Sequence, residues 1–301
     1  MDFYKKIIRN RDVRFALLGL FKFVPDKSMI KLQYRIKTGR KLNLENPQRY
    51  TEKIQWYKLN YRNPLIPRCA DKYEVRKYIE KKGLGEILNK LYMIYDTPED
   101  IQLNDLPEKF ALKTTNGSGT NIFCKDKSKL DERELKKRVK KFFYRSHVSA
   151  GREWGYKDIK PKIIVEELLE DIETKDHGIN DYKFLCFNGK PEYIVYDIDR
   201  YVDHKRNFYD TNWNYLEISS DCKNFGDIVK KPEKLNEMLE IAKRLSEDFP
   251  AVRVDLYCIQ NKIYFGELTF YPWSGYVKYT PDNFDFELGK KFKIEEHKKN
   301  G

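Results

Sequence analysis

Residues 252–269 read VRVDLYCIQNKIYFGELT, and this stretch predicts a hairpin of two strands. Successive side chains of a strand point to opposite faces, so the register decides which side chains meet. A pairing that sets Asp255 opposite Glu267 matches polar residues with polar residues and apolar residues with apolar ones. A tight two-residue turn at 260–261 would instead set Asp255 opposite Gly266 and turn Glu267 to the other face. We therefore predict a three-residue connection or a bulge in this hairpin.

Two carboxylates placed side by side, Asp255 and Glu267, repel one another unless a cation lies near them. One interpretation is a Mg²⁺ site, because Mg²⁺ is often bound by one or two carboxylates together with nucleotide phosphates. The other is an ion-pair cluster in which Arg253 and nearby lysines neutralise both acids. The hairpin alone leaves both open, and side chains on opposite faces of the sheet would exclude the metal site.

A glycine-rich segment, Thr114-Thr-Asn-Gly-Ser-Gly-Thr-Asn121, follows a predicted strand that ends at Lys113. Two glycines and small hydroxyl residues allow backbone N–H groups to turn toward an anion, and the adjacent ammonium adds fixed charge. The segment matches neither the dinucleotide-binding pattern nor the P-loop pattern. Taken by itself, it is better explained as a flexible turn.

The remaining periodicity predicts helices and strands along the whole chain. Helical spacing dominates to about residue 90, and further helices are predicted at 131–145 and 233–248. Strands are predicted around 110–113, at 162–169, where the apolar run ends in two carboxylates, and at 182–187 and 192–198. The last two are joined by Asn188-Gly189, a pair that favours a two-residue hairpin turn.

Composition excludes several classes of protein. The chain has 301 residues, of which 40% are hydrophobic and 15% aromatic, so it predicts a folded protein of two or three lobes. It contains no apolar run near the roughly 18 residues that a membrane-spanning helix needs, and its start does not resemble a cleaved signal. Five cysteines without C-x-x-C spacing predict free thiols in a reducing cytoplasm, and the four histidines are not at metal-ligand spacing.

The positive charge is concentrated at the start of the chain. Residues 1–50 contain 13 Lys and Arg against 4 Asp and Glu, a local charge of +9 out of a net +12. Here basic residues alternate with apolar ones, namely Phe3, Ile7, Ile8, Phe15, Leu18, Phe21 and Phe23. This pattern is typical of a helix on an anionic membrane surface, and equally of an ordinary helix with a solvated face. The sequence has no nucleic-acid-binding motif, so we expect no nucleic-acid partner.

Several segments, taken in order, resemble the ATP-grasp superfamily: Asp71-Lys72, Phe110-Ala-Leu-Lys113, Asn116-Gly-Ser-Gly119, Ile164-Val-Glu-Glu167, Asp181-Tyr-Lys183, Arg253-Val-Asp255 and Gly266-Glu-Leu-Thr269. From about residue 25 to 290 the chain is most similar to the TupA-like branch, the amide ligases of teichuronopeptide biosynthesis. The resemblance implies an α+β ATP-grasp fold whose two lobes clamp ATP. It implies a basic helical region at 1–70, a lobe with the phosphate lid at 71–165 and a lobe with the metal-binding hairpin at 166–301.

The resemblance also implies roles for individual residues. ATP and its phosphate lid would be contacted by Lys72, Lys113, Asn116, Gly117, Ser118, Gly119 and Thr120, and the adenine and ribose edge by Glu166 and Glu167. Mg²⁺ would be held by Asp255, Glu267 and Thr269. Thr269 replaces a common metal-binding Asn, so the resemblance does not decide whether a second metal ion binds. The γ-phosphate or a substrate carboxylate would be neutralised by Lys183, Arg206 and Arg253, with Lys205 as a weaker candidate. Trp273 replaces a frequent glycine and would narrow the acceptor side, stack on a sugar ring or belong to the core.

The implied reaction is ATP-dependent amide formation through an acyl-phosphate. A TupA-like enzyme would join an amino acid or amine to a uronic acid-containing glycan or sugar precursor, either free in the cytoplasm or at the inner face of the membrane. Two other interpretations stay open. A kinase that phosphorylates a sugar would need the same nucleotide site, and a scaffold could retain a relict of it.

Overall fold

The computed structural model describes residues 21, 23–117, 119–144, 151–174, 177–226 and 229–294. The basic amphipathic helix predicted near the start of the chain falls almost wholly outside these residues, and so does Ser118 of the predicted phosphate lid.

Most of the described α-helices bury one face, whereas the helix Tyr50–Asn60 is buried on all sides from Tyr50 to Lys58. They are α1 (Asp26–Thr38), α2 (Tyr50–Asn60), α3 (Leu65–Ala70), α4 (Glu74–Lys81), α5 (Glu132–Phe143), α6 (Leu235–Ser246) and α7 (Asn283–Lys291). Helix α5 begins where the Asp131 carboxylate accepts a hydrogen bond from the Glu134 N–H at 2.9 Å, and two lysines favour its C-terminal end. The predicted helices at 131–145 and 233–248 are thus confirmed as α5 and α6.

The described strands form two antiparallel sheets. They are β1 (Leu91–Tyr95), β2 (Phe110–Thr114), β3 (Asn121–Cys124), β4 (Ile163–Glu166), β5 (Asp181–Phe187), β6 (Lys190–Ile198), β7 (Lys205–Asp210), β8 (Tyr215–Leu216), β9 (Ala251–Ile259) and β10 (Lys262–Thr269). The four-stranded sheet has the order β1-β4-β2-β3, and the six-stranded sheet has the order β10-β9-β5-β6-β7-β8.

The turn between β5 and β6 is as predicted, because Asn188 and Gly189 both have positive φ, 50° and 75°. The strand predicted at 162–169 was too long. Strand β4 ends at Glu166, which lies opposite Leu91, the first residue of β1. The next residue, Glu167, still donates its N–H to Lys90 O at 2.8 Å, but no strand is assigned to it.

Each sheet has its own hydrophobic core. The core of the six-stranded sheet also includes buried residues of α2, α3 and α4, such as Ile54, Ile66 and Ile79. The smaller core lies between the four-stranded sheet and α5, around Phe110 and Leu135. Domain boundaries at residues 70 and 165 stay a prediction. No helix among the described residues is both long enough and apolar enough to cross a membrane.

Candidate functional site

The β9–β10 hairpin sets Asp255 directly opposite Glu267. Its turn at 260–261 has two residues, both with positive φ, and the pairing shifts by one residue between Phe265 and Glu267. The extra residue is Gly266, where an added Cβ would lie 2.9 Å from the backbone oxygen of Asp255. The structure therefore confirms a bulge rather than a longer connection, and a glycine permits the close backbone approach. As a result both acids lie on one face of the sheet.

Arg253 bridges these two acids. Its Nε and Nη2 atoms donate to the two carboxylate oxygens of Asp255, both at 2.6 Å, and Nη2 also donates to Glu267 Oε1 at 2.9 Å. Burial raises the pKa of Asp255 to about 6, although the charges of Arg253 and Lys183 oppose that shift. Burial acts on Glu267 in the same direction, but Arg253 and Lys72 hold the pKa of Glu267 below its usual value. The carboxylate pair thus accommodates a cation.

The same residues fit a Mg²⁺ ion that is shared with a nucleotide. The Thr269 hydroxyl lies on their face and donates to Glu267 Oε1 at 2.9 Å. Within the described ranges, three or more His, Cys, Asp or Glu side chains are nowhere gathered as a metal cage. Two carboxylates and a hydroxyl leave most coordination positions to phosphate oxygens and water, which is the usual arrangement for Mg²⁺ at nucleotide sites. The assignment of Asp255, Glu267 and Thr269 as ligands stays a prediction.

A cavity of about 510 Å³ lies between the two sheets. Asp255, Glu267 and Thr269 line one wall of it, and Lys72 and Lys113 line the other. Positive side chains therefore face the acidic pair across the cavity. The Glu267 side chain remains 45% exposed within it.

Lys72 is held in place by the backbone around it. Its N–H donates to Thr115 O at 3.2 Å, and its ammonium donates to the carbonyl oxygen of Gly117. Just before it, Asp71 Oδ1 accepts hydrogen bonds from the N–H groups of Tyr73 and Glu74 at 2.7 and 2.9 Å, which caps α4. Burial lowers the pKa of Lys72, and the charge of Lys113 acts in the same direction. An anion bound between these two lysines would raise the pKa of Lys72 again, because a nearby negative charge stabilises the ammonium.

Lys113 contacts Glu166, one of the two residues expected at the adenine and ribose edge. Its Nζ lies 2.8 Å from Glu166 Oε2, and Arg76 Nη1 lies 3.3 Å from Glu166 Oε1. Glu166 lines the cavity, whereas Glu167 is half-buried outside its lining. The structure thus joins Glu166 to Lys113 and Arg76, and it leaves Glu167 outside the cavity lining.

The glycine-rich segment also borders the cavity. Gly117 and Gly119 line it with φ angles of 86° and 69°. Asn116 has a buried Oδ1 atom without a hydrogen-bond partner among the described residues. Buried acceptors are normally paired, so this atom is available to accept a hydrogen bond from a ligand. Thr120 is fully buried and its hydroxyl lies 2.8 Å from that of Thr114, so it supports the loop from below.

Lys183 and Arg206 are not among the residues that line the cavity. Lys183 lies in a buried network behind Asp255, with Nζ 2.7 Å from Asp181, 3.4 Å from Asp197 and 3.9 Å from Asp255. Arg206 donates to Asp197 from Nε at 2.6 Å and from Nη2 at 2.9 Å. Lys205, in contrast, pairs with Asp203 at 3.3 Å away from this network.

Sequence reasoning missed the acids and the histidine of this network. His204 Nε2 lies 3.1 Å from Asp197 Oδ2, and hydrogen bonds to Asp197 and Cys222 raise the pKa of His204 to about 9. Despite burial, His204 and Arg206 hold the pKa of Asp197 well below its usual range. The only available signal was the clustering of acids near the end of a predicted strand, at 197 and 199. Arg200, which lines the cavity and bonds to Asp181, was also missed.

The far end of the cavity is closed by Trp273 in a strained turn. Trp273 and Ser274 have φ angles of 49° and 54°, in a region that favours glycine. The guanidinium groups of Arg206 and Arg253 lie 4.9 and 5.5 Å from the Trp273 ring centre. Gln55 and Lys58 of α2 hold this turn by donating to the carbonyl oxygens of Gly275 and Ser274, both at 2.8 Å. Trp273 is half-buried and lines the cavity, so it narrows one end of it.

A family model described as TupA-like ATP-grasp matches residues 52–293. The chain belongs to the TupA-like ATP-grasp family. This confirms the ATP-grasp fold, with helices packed on antiparallel sheets, and its members are ATP-dependent ligases that form C–N bonds. The chain is therefore identified as an ATP-dependent ligase at the level of its family. A comparison with curated proteins gives no match.

Solved structures similar to this TupA-like chain include two D-alanine–D-alanine ligases. The ligase from Bacillus anthracis is 14% identical with a TM-score of 0.45, covering 78% of this chain and 70% of that chain. The ligase from Helicobacter pylori is 18% identical with a TM-score of 0.42, covering 75% and 61%. An L-amino acid ligase from Bacillus licheniformis is 14% identical with a TM-score of 0.42, covering 75% and 49%. The chain thus spans from half to about two thirds of the length of these proteins.

Proposed function

We propose that this chain is an ATP- and Mg²⁺-dependent carboxylate–amine ligase that acts through an acyl-phosphate. One observation carries the proposal. Lys72 and Lys113 face Asp255 and Glu267 across a single cavity of about 510 Å³, so that cationic and acidic walls flank the same space. A nucleotide triphosphate with its divalent ion has the complementary charge pattern.

The side chains divide the work of phosphoryl transfer. Lys72 and Lys113 hold phosphate oxygens, and Mg²⁺, when bound by Asp255 and Glu267, withdraws charge from the same phosphates. A substrate carboxylate attacks the γ-phosphorus and ADP leaves, and an amine then attacks the acyl carbon, loses a proton and displaces phosphate to leave an amide. The reaction requires no nucleophile from the protein. What it does require is fixed positive charge where the transferred group becomes negative.

Arg253 has a second role in this proposal. In the structure it neutralises the acidic pair, and an incoming divalent ion would take over that task. The guanidinium is then free to turn its fork toward a substrate carboxylate or the γ-phosphate, a geometry that suits both anions. Lys183 remains behind Asp255, 3.9 Å away, and fixes its orientation.

An acyl-phosphate must be kept from water, and the glycine-rich segment is placed to do this. Gly117 and Gly119 both adopt left-handed backbone angles on the rim of the cavity, which provides a hinge over the phosphates. Trp273 closes the other end. Together they would enclose the reacting atoms.

We propose that the acceptor is a uronic acid-containing glycan or sugar precursor, joined to an amino acid or amine in the cytoplasm. Support comes from Trp273, which lines the cavity, and from the Arg253 guanidinium, which lines it too and lies 5.5 Å from the Trp273 ring centre. Aromatic rings stack on the apolar faces of sugars, and an arginine fork matches a carboxylate.

The test combines nucleotide binding with product analysis. Calorimetry should show Mg²⁺-dependent ATP binding that Lys113→Ala weakens by about tenfold or more, because a phosphate contact is lost. Lys109→Ala is the matched control, since Lys109 pairs with Glu170 on the surface. ATP, Mg²⁺ and a panel of uronic acids and amines should then yield an amide by mass spectrometry, with phosphate release that requires the amine. A phosphorylated sugar would show a kinase, and absence of nucleotide binding would show a relict site.

A further inference from the structure

The outward face of α1 carries a basic stripe beside an apolar stripe. Lys27, Lys31 and Arg35 follow one another at intervals of four residues and are exposed. Leu32 and Ile36, also four residues apart, are 54% and 60% exposed. Residues at this spacing share one side of a helix. The solvated face of a helix normally carries polar side chains, so two large apolar side chains side by side on it require an explanation.

Two further exposed aromatic side chains directly precede α1. Phe23 is 82% exposed and Phe21 is 45% exposed, with ring centres 6.5 Å apart. Large aromatic and aliphatic groups beside lysines are the composition of surfaces that enter the headgroup region of a bilayer. The apolar stripe of α1 thus continues into the segment before it.

A cavity of about 730 Å³ lies between α1, the segment after it and α2. Lys27, Lys31 and Lys41 line it, and Glu45 is the acid among its lining residues. Within the part of the chain that the structure describes, none of the three ammonium groups forms an ion pair, whereas Lys113 and Lys72 of the nucleotide cavity are bonded to Glu166 and to the Gly117 carbonyl oxygen. Three cations gathered without counterions attract an anion such as a phosphate.

The same helix reaches the nucleotide cavity from its other side. Lys37 of α1 lines that cavity and lies 4.1 Å from the ring centre of Tyr276. One helix therefore separates the exposed basic and apolar surface from the acceptor end of the site. If α1 docks on a surface, a substrate anchored in that surface would have to extend only past α1 to enter the site.

We infer that the outward face of α1 docks on an anionic phospholipid bilayer. Leu32, Ile36 and Phe23 enter the interface, and Lys27 and Lys31, with Lys41, bind lipid phosphates. Charge complementarity supports a lipid surface over a neutral partner, because residues 1–50 as a whole carry a charge of +9. The docking does not depend on the proposed ligase activity. If both hold, the acceptor is a lipid-linked saccharide.

The test is sedimentation of the full chain with vesicles of phosphatidylcholine alone or with 30% phosphatidylglycerol. We expect binding to the anionic vesicles only. Lys27→Glu/Lys31→Glu should reduce partitioning by about tenfold or more, and Leu32→Ser/Ile36→Ser by about as much. The matched controls are Lys230→Glu/Lys231→Glu, with the same change of charge, and Ile172→Ser/Val202→Ser, which removes apolar groups that are 70% and 66% exposed elsewhere. Both controls should retain binding within about twofold.

Three outcomes would overturn the inference. The first is no binding of the wild-type chain to anionic vesicles. The second is binding of the α1 variants equal to that of the wild type, which would assign the docking to other residues. Alternatively, a concentration-dependent dimer that Leu32→Ser/Ile36→Ser abolishes would assign the face to a second copy of the chain. ATP binding measured on the same variants should be unchanged, so a failure here is distinguishable from a failure of the proposed function.

Discussion

Lys58 Nζ lies 2.8 Å from the backbone oxygen of Ser274, within the strained turn that presents Trp273 to the cavity. It also donates to Gly151 O at 3.0 Å, while the nearest carboxylate oxygen, on Glu153, is 3.9 Å away. The Lys58 side chain has no exposed surface. Burying an ammonium costs free energy. Hydrogen bonds to carbonyl oxygens, without a close carboxylate, offset only part of that cost.

The first prediction concerns the pH dependence of stability at this position. Burial lowers the pKa of Lys58 to about 7, from 10.5 in the unfolded chain. Between these values the unfolded chain binds more protons, so the folded state gains stability from Lys58 as the pH rises from 7 to 10.5. The free energy of unfolding of wild type minus that of Lys58→Met should therefore increase by a few kcal/mol across this window, on the scale of about 1.4 kcal/mol per pH unit.

Urea denaturation at pH 7 and pH 10 measures this difference. Lys77→Met is the control, because Lys77 is 54% exposed on α4 and its ion pair with Glu74 is a surface one. A constant gap between wild type and Lys58→Met would mean that the lysine is solvated in solution.

The second prediction concerns the bulge. Gly266→Ala should destabilise the fold by about 1–3 kcal/mol and weaken Mg²⁺-dependent ATP binding, because the new methyl group would lie 2.9 Å from a backbone oxygen. Gly226→Ala is the matched control, since nothing lies within 4 Å of a Cβ at that position. Calorimetry and denaturation of both variants test the prediction. Equal behaviour of the two would show that the backbone at 266 yields freely.

The third prediction concerns the buried network. Lys183→Met should destabilise the protein by about 3–5 kcal/mol, because it leaves Asp181 and Asp197 buried with one cation fewer. Lys205→Met, which removes a half-exposed lysine paired only with Asp203, should cost less than about 1 kcal/mol. Chemical denaturation at pH 7 measures both. A small effect at Lys183 would mean that the acids take up protons or water instead.

The fourth prediction concerns His204. Its pKa is raised to about 9 by Asp197 and Cys222, so the stability that its proton contributes is fully present below pH 6.5 and is lost as the pH rises through 9. Because the side chain is partly exposed, we expect His204→Gln to cost only about 1–2 kcal/mol at pH 6, and much less at pH 10. His177→Gln, at an exposed pair with Asp199, serves as the control. An effect of His204→Gln that does not change with pH would contradict a protonated imidazole.

The site was predictable from sequence where two strands follow each other in the chain. In the β9–β10 hairpin, the matching of polar and apolar residues leaves one register that fits, and it requires a three-residue connection or a bulge. The structure has the bulge, because Gln260 and Asn261 form a two-residue turn and Gly266 is the extra residue. Lys113 and the glycine-rich segment were likewise adjacent in sequence and are adjacent in the fold.

Part of the buried network was beyond reach because Lys183 meets Asp255 only when β5 pairs with β9, which lies far along the chain. Asp197 lies near Lys183 across the predicted β5–β6 hairpin, but Arg206 comes from β7, for which the sequence predicted no strand. The contact between Lys58 and Ser274 spans 216 residues. No local pattern reports such partners, since the free energy that selects them comes from the packing of the whole sheet.

The separate cores of the two sheets have a consequence for how the ligase responds to its nucleotide. The four-stranded sheet with α5 buries far less apolar surface than the six-stranded sheet with its helices, so it is the unit that opens more readily to exchange with solvent. A triphosphate spanning Lys113 on the one side and Asp255 on the other would couple the two units. Hydrogen exchange of backbone amides in the smaller unit should then slow as nucleotide binds. This would report nucleotide binding even before a substrate has been identified.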